Sequence, residues 1–217
     1  MDAKTLMNAR HSVRQYENKP IPAEILAALE QEITVCNQEG SLHIQLVTNE
    51  PKAFDCFMAH YGKFSGAKNY LALVGPKGAG LDEKCGYYGE RLVLKAQALG
   101  LNTCWVAMSY SKTPGAFRID SGEKLTVVIA LGYGKTQGVP HKSKPLSAVS
   151  NAGSNTPDWF QAGVEAALLA PTAMNQQKFT FTYADGKVSA KAGMGFYAKV
   201  DLGIAKYHFE LGSNHKL

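Results

Sequence analysis

The sequence predicts an α+β chain in which amphipathic helices alternate with short apolar strands. Three observations support this. Residues 23–35 and 88–99 carry apolar side chains at helical spacing, and residues 125–131 are a nearly continuous aliphatic run of strand length. A proline-started helix followed by a linker and a strand also occurs twice, across 23–47 and 157–184. With 217 residues, 45% hydrophobic and 19% charged, the chain can bury a sizeable core, either as one compact domain or as two small halves sharing one.

Residues 2–9 read as a short helix carrying Leu6 and Met7, which leads into Arg10-His11-Ser12-Val13-Arg14. Lys19-Pro20-Ile21-Pro22 sets an extended approach. Pro22 suits the first position of a helix over 23–35, where Ile25, Leu26, Leu29 and Ile33 recur on one face. Gly40-Ser41 breaks that pattern, and residues 43–47 form a strand. Residues 52–61 suggest a helix with Phe54, Phe57, Met58 and Tyr61 on its core side. Tyr70–Val74 is a buried strand, ended by the glycine-rich turn Gly75–Gly80. That turn lacks the Gly-Lys-Ser/Thr ending of a phosphate loop and the spacing of a dinucleotide fingerprint.

Residues 88–99 form a helix with Gly100 placed for its C-terminal cap, and 103–107 and 125–131 are strands. The connection 135–155 is rich in Lys, Ser, Gly, Pro and Asn. Thr156 as N-cap, Pro157 in first position and Asp158 at the positive dipole end start a helix over 157–169, which Pro171 stops. Residues 178–184, the turn Asp185-Gly186 and a return strand through Val188 and Ala190 make a hairpin, and residues 201–211 a last helix.

The net charge of +5 and isoelectric point near 8.9 suit an anionic ligand, but no Lys/Arg block makes the stripe of a nucleic-acid binder. The four cysteines form no Cys-x-x-Cys pair and the six histidines are scattered, so no metal site is expected. No apolar run reaches membrane-spanning length, and the opening MDAKTLMNARHS lacks the apolar core of a secretory signal. A reducing, cytoplasmic setting without membrane or nucleic-acid partners is therefore the expectation.

Two constellations carry chemistry. In extended backbone, side chains alternate, so Arg10, Ser12 and Arg14 share one side: two guanidinium forks around a hydroxyl, suited to a phosphate. The second is Ala170-Pro171-Thr172-Ala173-Met174-Asn175-Gln176-Gln177, where a helix broken by proline presents hydroxyl and amide groups. Those donors and acceptors suit a heteroaromatic ring edge or a polyol.

Together these two stretches resemble the FMN-dependent nitroreductase family, with its Arg-x-Ser-x-Arg opening and its Ala-Pro-Ser-x-x-Asn-x-Gln element. Leu99-Gly100-Leu101-Asn102-Thr103-Cys104-Trp105-Val106 is similar to the family's strand beside the flavin ring. Leu131-Gly132-Tyr133-Gly134 with Lys142-Ser143-Lys144 is similar to its late strand and phosphate-side cations. The Ala-Pro element stands far later in this chain than in typical members, and Lys178-Phe179 replaces the usual Pro-Trp.

The resemblance is therefore closest to a rearranged, tandem-repeat branch. It implies a nitroreductase-like fold of mainly antiparallel sheets flanked by helices, in two related halves forming a pseudo-dimer. The halves are 1–134 and 157–217, joined by 135–156. It also implies FMN held by Arg10, His11, Ser12, Arg14, Lys142 and Lys144 at the phosphate side. Pro171, Thr172, Asn175 and Gln177 line the ribityl and ring, and backbone N–H groups of Val106, Ala107 and Met108 lie at the ring edge. No catalytic side chain is assigned. The implied activity is NAD(P)H-driven reduction of a nitroaromatic, quinone or similar small electron acceptor, by a monomeric pseudo-dimer or a homodimer. The alternative is a flavin-binding protein without turnover, a sensor or a degenerate enzyme.

Overall fold

Four strands pair entirely antiparallel in the order β1-β2-β4-β3, where β1 is Gln45–Val47, β2 Asn69–Pro76, β3 Asn102–Val106 and β4 Glu123–Gly132. A separate antiparallel hairpin joins β5 (Phe179–Ala184) to β6 (Lys187–Ala192). The helices are α1 (Ala3–Ala9), α2 (Ala23–Gly40), α3 (Phe57–Tyr61), α4 (Leu81–Ala98), α5 (Asp158–Ala167) and α6 (Ala198–Ser213). Residues 2–217 are described by the structure, a computed structural model. The expected α+β architecture is what forms, and among the described residues no helix is long and apolar enough to cross a membrane.

The chain groups into two compact units, neither continuous in sequence. The sheet unit comprises residues 10–81 and 92–139. On one face of its sheet Tyr70, Ala72 and Val74 of β2, Cys104 and Val106 of β3, and Val128 and Ala130 of β4 are buried in one cluster with Phe54, Phe64 and Val13. These positions differ by two along each strand, as the pleat requires for side chains that share a face. In the same unit α2 buries Leu29, Ile33 and Cys36, one stripe of its surface.

The helical unit comprises the residues up to Ala9 with 82–91 and 140–217. Its core is aromatic: Phe181 of β5 stacks on Phe209 of α6, with ring centroids 4.8 Å apart. Gly163 of α5 gives the Phe209 ring room, because a Cβ there would lie 2.6 Å from it. Asp185 and Gly186 both take positive φ (52° and 74°), the tight hairpin geometry their sequence predicts.

A second glycine device joins α6 to residues 82–91 of α4. A Cβ on Gly86 would be driven into the Val200 carbonyl, and one on Gly203 into the Glu83 carbonyl. The contacts are reciprocal, since Val200 precedes Gly203 by three residues and Glu83 precedes Gly86 by three. Beside this crossing His208 and Glu90 are fully buried, with Nε2 2.9 Å from Glu90 Oε1 and Nδ1 3.1 Å from Ala166 O. A carbonyl only accepts, so Nδ1 is the nitrogen that donates to Ala166 O.

Several boundaries differ from the sequence reading. α2 continues to Gly40 and α4 begins at Leu81, well before Tyr88. Pro22 and Pro157 stand immediately outside their helices instead of opening them, and Thr156 donates its hydroxyl to Gly153 O at 2.8 Å rather than capping α5. The largest departure is the aromatic stripe. Cys56 is extended (φ −141°, ψ 160°), which divides the stretch and resets the helical phase. Phe54 stays in the core, but Phe57 and Tyr61 are 80% and 78% exposed, Met58 is exposed too, and Ala59 takes the buried side.

Candidate functional site

In the sheet unit the Arg10–Arg14 segment runs extended beside β3. Ser12 bridges Thr103 in parallel, and Val13 N–H donates to Thr103 O at 3.0 Å. The segment is anchored on both sides. Arg14 O accepts from Ser65 N–H at 3.0 Å, and the Tyr16 hydroxyl donates to Val13 O at 2.7 Å with Ala130 O of β4 3.3 Å away. Burial pushes the Tyr16 phenol well above its usual range, so it stays a neutral donor.

Arg10, Ser12 and Arg14 are brought together around Cys104, the residue after Thr103 on β3. Burial pushes the Cys104 thiol up, while Arg14, the Ser12 hydroxyl and Arg10 act to lower it. Arg10 is 3% exposed, Ser12 half-buried and Arg14 exposed, so the cluster reaches from the interior to the surface. His11 packs its Cβ toward Gly138. Val106 ends β3 opposite Val128 of β4, and Ala107 and Met108 follow it outside the strand. Gly134 permits a close approach here: its N–H donates to Asn102 Oδ1 at 3.0 Å, and a Cβ would collide with that oxygen and with Val13.

In the helical unit, residues 170–177 follow α5 as a loop with three non-glycine residues in the left-handed region: Met174 (φ 51°), Asn175 (φ 54°) and Gln177 (φ 45°). Such backbone costs about 1–3 kcal/mol per residue and persists only where surroundings over-determine it. The surroundings here are explicit. Gln177 is 2% exposed; its Oε1 accepts from Lys144 N–H at 2.8 Å, and its Nε2 donates to Lys142 O (2.9 Å) and Asn175 Oδ1 (2.8 Å). Asn175 Nδ2 donates to Lys142 O at 2.8 Å, and Gln177 N–H to Thr172 Oγ1 at 3.1 Å. The Lys144 ammonium donates to Gln176 O (2.7 Å) and Gln177 O (3.2 Å). The His141 ring and the Ser143 hydroxyl hold Leu168 O at 2.9 and 3.1 Å.

Lys142, Lys144, Thr172, Asn175 and Gln177, expected from sequence to serve one site, therefore form one network with Pro171 buried behind it. Arg10, Ser12 and Arg14 belong to the sheet unit, where each acts on the Cys104 thiol. Two contributors were missed by sequence reasoning. Gln176 was read as part of a motif without a role, and Asp201 only as part of a tail helix. Asp201 is buried, and its carboxylate accepts from Ala173 N–H (2.9 Å) and Gln176 Nε2 (2.7 Å). No local signal marks it, since Lys199 and Asp201 both stand in the first turn of α6 as in any exposed helix start.

Elsewhere in the sheet unit His43, Asp120 and Glu123 place ligand-type atoms within 4.8 Å of one another. Their groups already satisfy each other. Glu123 Oε2 lies 2.8 Å from both His43 Nδ1 and Asp120 N, and Arg118 pairs with both Asp120 oxygens. This is a structural network at the start of β4.

An antiparallel sheet flanked by helices is the class of arrangement expected of a nitroreductase fold, and comparison with solved structures bears out that fold. A Thermotoga maritima protein described as a "putative nitroreductase" superposes with a TM-score of 0.71 at 24% identity, over 98% of this chain and 83% of its own. A Parabacteroides distasonis protein described as a "Putative NADH dehydrogenase/NAD(P)H nitroreductase" gives 0.53 at 19% identity, over 70% of this chain and 98% of its own. A Desulfovibrio desulfuricans nitroreductase solved in complex with FMN gives 0.52 at 17% identity, over 67% and 92%. No curated protein matches the chain. The chain belongs to the nitroreductase family described as "Putative TM nitroreductase", whose profile matches residues 2–213.

Proposed function

We propose that this protein is an FMN-dependent oxidoreductase that takes reducing equivalents from NAD(P)H and delivers them to a small electron-poor acceptor such as a nitroaromatic or quinone. The observation that carries the reading is the gathering of Arg10, Ser12 and Arg14 around one point of β3. Two permanent cations and a hydroxyl there suit the charge and the acceptor oxygens of a phosphate monoester. His11 flanks that grip, and the backbone of Val106, Ala107 and Met108 supplies N–H groups for a ring edge. In the helical unit Pro171, Thr172, Asn175 and Gln177 shape a loop fitted to a polyol chain and ring, with Lys142 and Lys144 bound into its support. FMN, when bound, supplies the hydride chemistry; this chain's residues bind and orient it.

The expected form is a monomeric pseudo-dimer or a homodimer. The test is direct. The purified protein should bind added FMN, NAD(P)H should bleach that flavin, and a quinone or nitroaromatic should restore it. Bleaching that never occurs despite tight FMN binding would establish a flavin-binding protein without turnover. Absence of FMN binding would overturn the flavin reading itself.

A further inference from the structure

The Ala170–Gln177 loop is gripped from two sides. Residues 141–144 hold Asn175 and Gln177; the opposite side is held by Asp201 of α6, with Phe196 O just before that helix also accepting from Gln176. Asp201 Oδ1 faces Ala173 N–H at 2.9 Å and its Oδ2 faces Gln176 Nε2 at 2.7 Å. The orientation of the Gln176 amide is fixed independently, because the same Nε2 donates to Phe196 O at 2.6 Å and the amide oxygen sits against Gly195. Turning that amide over would set its oxygen against the Phe196 carbonyl. Both oxygens of Asp201 therefore face N–H donors that cannot reverse roles without loss, and the carboxyl is 2% exposed.

We propose that Asp201 is a positioning residue for cofactor binding: as a carboxylate it clamps Ala173 and Gln176 and so holds the left-handed Met174–Gln177 backbone in the form that receives the flavin. The inference rests on the reading that this loop contacts flavin. A protonated Asp201 would have to turn an O–H toward one of the two N–H donors and release it. Burial favours that protonation and raises the carboxyl to about 6, although both hydrogen bonds oppose it.

Among the described residues no lysine beside the loop or on α6 is paired with the Asp201 carboxylate. Lys144 on the far side of the loop donates to Gln176 O and Gln177 O, Lys206 of α6 pairs with Glu83 of α4, and Lys178 and Lys199 are exposed. The clamp thus loosens on mild acidification while the fold as a whole does not weaken at this position, because protonation removes a buried charge.

The experiment measures FMN and riboflavin affinity from pH 8 to pH 5 for the intact chain and for Asp201→Asn. Riboflavin is included because a phosphate monoester itself titrates near pH 6. A group at about 6 is about nine-tenths protonated at pH 5, so wild-type riboflavin affinity should fall about tenfold over this range. Asp201→Asn should bind about tenfold more weakly at pH 8, show no such riboflavin pH dependence, and melt no lower than wild type. Amide hydrogen exchange of the cofactor-free proteins, corrected for intrinsic rates, gives a readout independent of flavin: Ala173 N–H should lose protection below about pH 6 in wild type and at every pH in Asp201→Asn.

Wild-type affinity and pH dependence retained in Asp201→Asn would overturn the proposal, as would Ala173 protection unchanged in both tests. If neither flavin binds at any pH while Ala173 protection follows the expected pattern, the flavin reading fails and the cofactor-positioning role falls with it, leaving only a loop clamp.

Discussion

The Gln177 side chain offers the sharpest energetic test of the loop. Gln177→Ala removes three hydrogen bonds of 2.8–2.9 Å, from Lys144 N–H and to Lys142 O and Asn175 Oδ1, and leaves the backbone at φ 45°. At about 1 kcal/mol net per bond the loss is about 3 kcal/mol, reduced to about 2 where water reaches the exposed Lys144 N–H. Gln177→Gly loses the same bonds but relieves left-handed strain of about 1–2 kcal/mol, partly offset by a more flexible unfolded chain. Glycine should therefore be the milder substitution by about 0.5–1 kcal/mol, the reverse of the usual order inside regular structure. Urea unfolding of the three proteins, fitted with a common slope, measures both quantities. An alanine variant within about 0.5 kcal/mol of wild type, or a glycine variant at least as damaging as alanine, would refute the account of a strained loop held by Gln177.

Three further outcomes follow from the same geometry. Arg10→Ala should weaken FMN binding by at least about 1.5 kcal/mol, roughly tenfold, with unchanged affinity in a flavin titration refuting the phosphate assignment. Gly203→Ala should lower the melting temperature, because a Cβ driven into the Glu83 carbonyl costs about 1–3 kcal/mol and outweighs the helix-propensity gain of about 1 kcal/mol; Gly86→Ala should match it if the crossing is symmetric in energy as in contact. Asp201 has a raised folded-state value, so its contribution to stability is fully present below 3.8 and is lost as pH rises through about 6. The loss amounts to about 3 kcal/mol at neutral pH before any rearranged hydrogen bond is counted, so urea unfolding should find Asp201→Asn more stable than wild type at pH 7.5 and equal to it near pH 4.

Most of the fold was legible because its elements announce themselves locally. The Leu125–Leu131 run, the Asp185-Gly186 turn and the helix ending before Gly100 each follow from residues within one element. Errors arose where phase or partner is set at a distance. Phe57 and Tyr61 fit a helical stripe with Phe54, but one extended residue, Cys56, turned them outward, and no composition rule marks that residue as a breaker. Gly86 of α4 and Gly203 of α6 are weak helix positions by propensity, whereas each is the contact point for the other helix's backbone. On the site, residue types with obvious chemistry were found, and those acting through a neighbour were not. Arg10, Ser12 and Arg14 read on their own either as a solvated basic turn or as an anion grip, and the grip is favoured in the sequence only together with Ala170–Gln177. Nothing local distinguishes Asp201 from any acid at the start of a helix, and its role exists only because Ala173 and Gln176 fold onto it.

That difference bears on how the loop can work. Three residues with positive φ within four positions are a stored cost, and Lys142, Lys144 and Gln177 bind the loop through backbone, ammonium and amide hydrogen bonds. Asp201 alone combines a hold on this backbone with burial and a titration point near 6. Protonation of that restraint costs one of its two hydrogen bonds to the loop, so the proposed clamp weakens on mild acidification. A loop built only from neutral amide contacts would lack that sensitivity. Replacing the restraint with Asn separates the two contributions, since the variant keeps the size of the side chain and most of its packing while removing the proton that moves.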